Sequence, residues 1–122
     1  MAIRMTPSSA ASTRGGEPPD LEKALKNAPS GTARILLSHR PNMVVPAVTE
    51  GVDLQLSAHT HGGIVLGLDR LVARYNARFV SGLYRVGDMT LYVTRGSGIW
   101  NGFPVRLGVP SEITLLKLLR EK

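Results

Sequence analysis

With 122 residues, a net charge of +6, 43% hydrophobic and 20% charged residues, the chain has the composition of one ordinary globular domain. The absence of cysteine excludes disulfides and thiolate metal sites, so any metal would rest on histidine, carboxylate or backbone oxygen. No apolar run approaches the roughly 20 residues that span a bilayer, and the start lacks the apolar region of a signal peptide.

Residues 1–16, rich in Ser, Ala, Gly and Thr, show no periodicity and are expected to be a disordered tail, with the folded part running from 17 to 122. Pro18-Pro19-Asp20 opens a short helix, with Asp20 as N-cap, Leu21, Ala24, Leu25 and Ala28 as its apolar stripe, and Pro29 as its stop. Ile35 to Ser38 is a continuous apolar run ending at His39 and reads as a buried strand. Asn42 is placed to cap a second short helix that tolerates Pro46 in its first turn and ends at Gly51. Leu54 to Ala58 is the next strand, and it delivers His59 and His61 into a loop.

Residues 62–78 fit no single pattern. Leu66, Leu68, Leu71 and Val72 are apolar, while Arg70, Arg74 and Arg78 would share a basic helical face; the alternative is an irregular flap. Phe79 to Val86 and Met89 to Thr94 form a hairpin across Gly87-Asp88. Residues 95–102 are a glycine-rich loop, in which an anion cradle is possible and an ordinary turn is the commoner outcome; Trp100 there reads as core or as a cleft wall. Glu112 to Leu119 is expected as a last strand with its leucines packed inward.

The chemistry concentrates in His59-Thr60-His61-Gly62-Gly63. In extended backbone, residues i and i+2 share a face at roughly 6 to 7 Å, which suits one ligand for each of two metals held about 3.5 to 4 Å apart. Gly62 and Gly63 remove side chains where a substrate or a second loop would approach, and are candidate substrate-binding positions. Two exposed loop histidines would be the plainer reading. His39 favours the metal site, because two strands that each finish in Ser and then bring a His would, as sheet neighbours, bring all three imidazoles to one sheet edge. The positive charge favours anionic partners, yet the arginines are scattered and few aromatics accompany them, so nucleic acid is not the expected partner. Most of the arginines read as solvated surface. Arg40, beside His39, is the candidate phosphate contact.

The runs Ile35-Leu36-Leu37-Ser38-His39-Arg40-Pro41 and Gly51-Val52-Asp53 through His59-Thr60-His61-Gly62-Gly63, with Ser81 to Asp88 and Val105 to Leu115, resemble the C-terminal half of a calcineurin-like metallophosphoesterase of a bacterial branch. The resemblance spans about residues 18 to 119. It implies an α/β fold, the C-terminal half of an αββα sandwich with mainly one mixed sheet and short helices. It also implies that His39 and His59 bind one metal and His61 the other, in a family site of two divalent ions (Mn, Zn, Fe or Mg). The family's Asp-x-His, Gly-Asp-x-x-Asp and Gly-Asn-His motifs, which supply the bridging carboxylate, an asparagine ligand and a catalytic histidine, are absent, and Gly87-Asp88 imitates one of them only superficially. Ala58, Ile64, Arg40 and Asn42 also depart from the family pattern.

The expectation is therefore a metal-dependent phosphoester hydrolase domain of phosphodiesterase or phosphatase type that lacks its N-terminal ligand motifs and is incomplete alone, holding at most one ion weakly. No catalytic residue is assigned. The alternatives are a non-catalytic remnant with a histidine cluster and a basic module for polyanions. Expected partners are a phosphoester substrate and either a second copy or a chain supplying the missing half. The location is cytoplasmic by default, and membrane-associated or exported if an upstream segment exists.

Overall fold

A computed structural model describes residues 2–4, 20–99 and 104–119. Five strands form one mixed sheet in the order β1-β2-β3-β5-β4: β1 (Ala2–Arg4), β2 (Arg34–Leu37), β3 (Leu54–Ser57), β4 (Gly82–Val86) and β5 (Met89–Val93). The first four in that spatial order are mutually parallel, and β4 returns antiparallel to β5. The α/β architecture expected from the sequence is thus present. Ala2–Arg4, inside the stretch expected as a tail, pairs with β2 at the sheet edge. The rest of that stretch lies outside the described residues.

The helices are short and local signals set their ends. In α1 (Leu21–Leu25), the Asp20 carboxylate accepts from the Lys23 amide at 2.9 Å, which satisfies one of the first-turn donors that have no intrahelical partner. A 3₁₀ turn (Pro41–Met43) leads into α2 (Val44–Thr49). Asn42 lies within that turn and is not the cap, because the cap position of α2 falls on Met43 and carries no side-chain bond. Pro46 does sit in the first turn of α2, where its missing N–H costs no hydrogen bond. A third helix, α3 (Asp69–Tyr75), accounts for much of the stretch that had no single pattern, and it buries none of its residues.

One face of the sheet carries the core. Leu36, Gln55 and Leu91 form a row across β2, β3 and β5, flanked by Met89 and Val93, and α1 and α2 cover it with Leu21, Val44 and Ala47. Gln55 is fully buried in that row, with Nε2 donating to Ser57 Oγ at 3.0 Å and Oε1 without a partner among the described residues. The leucines of β3, Leu54 and Leu56, point to the opposite face and are only half-buried.

Among the described residues, that opposite face meets the segment that begins at Glu112. Leu37, Leu56 and Tyr92, with Ile113 and Leu116, line an open cavity of about 510 Å³. Glu112 fastens the segment there: its carboxylate accepts from Tyr92 Oη, Thr94 Oγ1, the Arg95 amide and Arg95 Nε, at 2.8 to 3.1 Å. Beyond Glu112 the chain does not form the expected strand. Residues 113–119 join no ladder, and Ile113 and Leu115 are 92% and 94% exposed. Apolar, β-prone residues make a strand only where they run along an edge, and here Glu112 fastens the segment over the sheet face at Tyr92 and Thr94.

Candidate functional site

His39 and His59 follow neighbouring parallel strands, so the sheet itself brings them together. The ladder runs on past both strands: the Ser38 amide donates to Leu56 O and the Ala58 amide to His39 O, each at 3.0 Å. The Ser38 hydroxyl donates to the Arg40 carbonyl at 2.8 Å and fixes the turn after His39. His59 has φ +67°, a left-handed conformation that costs a non-glycine residue energy. Its ring then meets His39 edge-on, with centroids 5.0 Å apart and His59 Nδ1 at 3.2 Å from His39 Nε2.

The same turn separates His61 from them. His61 (φ +48°), Gly62 (φ +67°), Gly63 (φ +85°) and Ile64 (φ +67°) continue the left-handed run, interrupted at Thr60, whose buried hydroxyl donates to the Val80 carbonyl. The extended alternation expected for His59 and His61 is therefore not what the chain adopts, since β3 ends at Ser57 and the turn directs the two imidazoles to different neighbours. His61 Nδ1 lies 3.1 Å from Arg106 Nη2. Arg106 is otherwise bound to carbonyls: Arg95 O at 2.7 Å, Gly96 O at 3.2 Å and Gly98 O at 2.6 Å.

Gly62 and Gly63 are buried, and what approaches them is the chain's own second loop and helix. A Cβ on Gly62 would stand 2.7 Å from Arg95 Cγ and Val109 Cγ1, and one on Gly63 would stand 2.9 Å from the Asp69 Cα. The described part of the glycine-rich loop is not open to an anion through its first amides. The Arg95 amide already donates to the Glu112 carboxylate and the Gly96 amide to Thr94 Oγ1, while the loop carbonyls turn to Arg106. Trp100 lies outside the described residues.

Charge and burial favour the neutral form of His59 and His61. Burial first, then the Arg40 guanidinium and the two other imidazoles, hold the His59 pKa below the ordinary histidine range. For His61, burial and the Arg106 charge lower the pKa against a smaller opposing pull from the Gly98 carbonyl. A neutral imidazole is the form that binds a cation. Two nitrogens bound to one tetrahedral zinc at about 2.05 Å lie about 3.3 Å apart. The 3.2 Å between His39 Nε2 and His59 Nδ1 fits that edge. Among the described residues, no three His, Asp or Glu side chains are grouped so as to hold a metal ion. Arg40 is exposed beside this pair, and its charge reaches His59.

The residue that the sequence reading passed over is Arg106. Its partners are mostly backbone carbonyls, which leave no trace in residue identity, and it sits 45 positions from His61.

Comparison with known proteins returns metallophosphoesterases. The chain is 40% identical over 103 residues to an uncharacterised metallophosphoesterase of Helicobacter pylori J99, covering 83% of this chain and 27% of that protein. It is 35% identical over 103 residues to the uncharacterised metallophosphoesterase YkuE of Bacillus subtilis, covering 82% and 36%. Over 89 residues it is 35% identical to the phosphodiesterase YaeI of Escherichia coli, covering 70% and 32%. The chain thus spans about a quarter to a third of the length of these relatives. No family model matches it, and no solved structure matches it.

Proposed function

The chain belongs to the metallophosphoesterase family as its C-terminal part, and we propose that it carries the histidine side of a divalent-metal site for phosphoester hydrolysis. The observation that carries this reading is the facing pair His39 Nε2 and His59 Nδ1, at the spacing of two ligands on one ion. The His59 ring is held toward its neutral form, and the strand ends that carry the pair are fixed by the sheet ladder. His61 is the family counterpart for a second ion, and Gly62 and Gly63 contribute by letting Arg95, Val109 and α3 close around it. The exposed Arg40 guanidinium is suited to a phosphate oxygen, which it would bind with paired N–H donors.

When bound, a divalent cation supplies Lewis acidity and a water of lowered pKa. The chain's own residues hold and orient: His39 and His59 present lone pairs, and Arg40 neutralises the phosphate. A carboxylate bridge is not among the described residues near these histidines, so hydrolysis needs further donors, and the chain alone holds one ion, less tightly than a site with three or four protein ligands.

Metal counting after dialysis against Zn²⁺ tests this. One ion per chain is expected for wild type and none for His39→Ala or His59→Ala. Arg40→Ala should keep the ion but lose binding of inorganic phosphate to the zinc-loaded chain. Equal retention of zinc by wild type and His59→Ala would overturn the reading. A nitrophenyl phosphodiester should be hydrolysed no faster than in a blank.

A further inference from the structure

We propose that α3 and the loops beside it form a docking surface for an anionic lipid bilayer. On a helix, residues three, four and seven apart share a face, so Leu68 at the cap position, Leu71 and Tyr75 make one stripe along α3. Asn76 is buried, and Val72 and Ala73 are half-buried. The helix therefore rests on that side and turns the stripe outward. Leu66, whose amide donates to Leu107 O at 2.8 Å, and Leu107 itself extend the apolar surface beyond the helix. Leu66, Leu68, Leu71, Tyr75 and Leu107 are 47 to 77% exposed. Large apolar side chains left outside as a group mark an interaction surface, whereas single ones need no explanation.

Charge selects lipid among the partners that an apolar surface could take. Arg70 and Arg74 share the flank next to Leu71, and Arg78 lies beside the last turn, where its amide donates to Ala73 O at 2.8 Å. None of the three is ion-paired among the described residues. Asp69 is the only carboxylate between Asp53 and Asp88, and it stands on the flank that packs against Gly63. A guanidinium donates to phosphate oxygens while its stem lies along apolar surface, and tyrosine likewise joins an apolar ring to a polar tip. Leucines at the acyl boundary with tyrosine and arginines among the headgroups is the arrangement of an interfacial helix. A nucleic acid would engage the arginines and leave the leucines in water. A second copy docking by the same face would set these arginines against one another. Because α3 is short, apolar contact and charge must act together, as in other surfaces that need two signals to hold a membrane. Gly63, two residues past His61, packs against the start of α3, so a bilayer seated here lies next to the histidine turn, whatever that turn binds.

The test is flotation of the full chain with vesicles on a density gradient, in which bound protein rises and self-associated protein does not. Wild type should float with vesicles of phosphatidylcholine and phosphatidylglycerol in equal parts, should not float with phosphatidylcholine alone, and should be released by added salt. Arg70→Gln with Arg74→Gln should bind about thirtyfold more weakly, at about fivefold for each arginine near an anionic surface. Leu71→Ser with Tyr75→Ser should abolish flotation at the same lipid concentration. All four of these side chains are exposed, so the fold does not depend on them. Ile113→Ser with Leu115→Ser, on the segment fastened by Glu112, should float as wild type does. Failure of wild type to float with the anionic vesicles would overturn the proposal, as would flotation unchanged by the Leu71 and Tyr75 pair. Loss of flotation in the Ile113 and Leu115 pair would also overturn it, by moving the lipid to the leucine face of the sheet. Retention of duplex DNA without flotation would overturn it in favour of a nucleic-acid surface. No metal enters these measurements, so their outcome is independent of zinc retention by His39 and His59.

Discussion

Glu112 shows how one side chain can secure a segment that has no ladder of its own. Burial alone would raise its pKa, but the Arg95 amide, the Tyr92 hydroxyl, the Arg95 guanidinium and the Thr94 hydroxyl all donate to the carboxylate and bring it down to about 2 from an ordinary 4.5. The folded-state value lies below the unfolded one, so the carboxylate stabilises the fold fully above about pH 4.5 and loses that contribution as the pH falls toward about 2. Urea unfolding across this window should show a decline in wild type that is flattened in Glu112→Gln. At neutral pH the variant should be less stable by about 2 kcal/mol, the scale of hydrogen bonds to a charged group. An unchanged acid profile in the variant would show that the carboxylate is not held this way. From the sequence, Glu112 is only the first residue of an apolar run, because its donors lie on another strand and on the backbone. His39 and His59 were legible, by contrast, since two runs ending alike need only be neighbours for their histidines to meet.

At the level of elements, the turn from His59 to Ile64 depends on two glycines for reasons that differ from a turn's usual need. Gly31 and Gly63 both have positive φ, +69° and +85°, but a Cβ on Gly31 would meet nothing within 4 Å, whereas one on Gly63 would meet the backbone of Asp69 at the start of α3. Gly31→Ala should therefore cost about 1 kcal/mol for conformation alone. Gly63→Ala should cost about 1 to 3 kcal/mol more, because α3 has to move. Equal shifts in urea midpoint for the two variants would mean that α3 does not pack against the turn. The strands and the hairpin were readable from alternation, apolar runs and Gly87-Asp88, which are local signals. The left-handed turn was not, since His59 and His61 adopt conformations that their residue types disfavour and that only Thr60, the glycines and Arg106 hold in place. The last strand failed for the opposite reason: its propensity is local, but a strand also needs a partner edge.

For the whole molecule, the decisive feature is a mainly parallel sheet that, among the described residues, is covered by helices on one side only. Parallel strands are ordinarily buried on both faces. Here Gln55 and Ser57 of β3 are buried while Leu54 and Leu56 point to the other face, where Leu56 lines the open cavity. The sequence of β3 shows the alternation but not which side is covered, and a leucine face left outside reverses the natural guess. The 113–119 segment adds further exposed apolar side chains to the same side, with Leu119 77% exposed beside Ile113 and Leu115. Apolar surface of this extent marks an interaction site or an aggregation liability, and the net charge of +6 opposes close approach only weakly at physiological ionic strength. The chain alone is therefore expected to self-associate, with an apparent mass in sedimentation equilibrium that rises with concentration. The double substitution Ile113→Glu with Leu115→Glu should shift that association to higher concentration while zinc retention persists, because the strand ends that carry His39 and His59 are fixed by the sheet ladder. A monomeric wild type with a sharp thermal transition independent of concentration would instead mean that helix cover on one face suffices, and that the segment fastened by Glu112 shields enough of the leucine face for this half-layered sheet to stand alone.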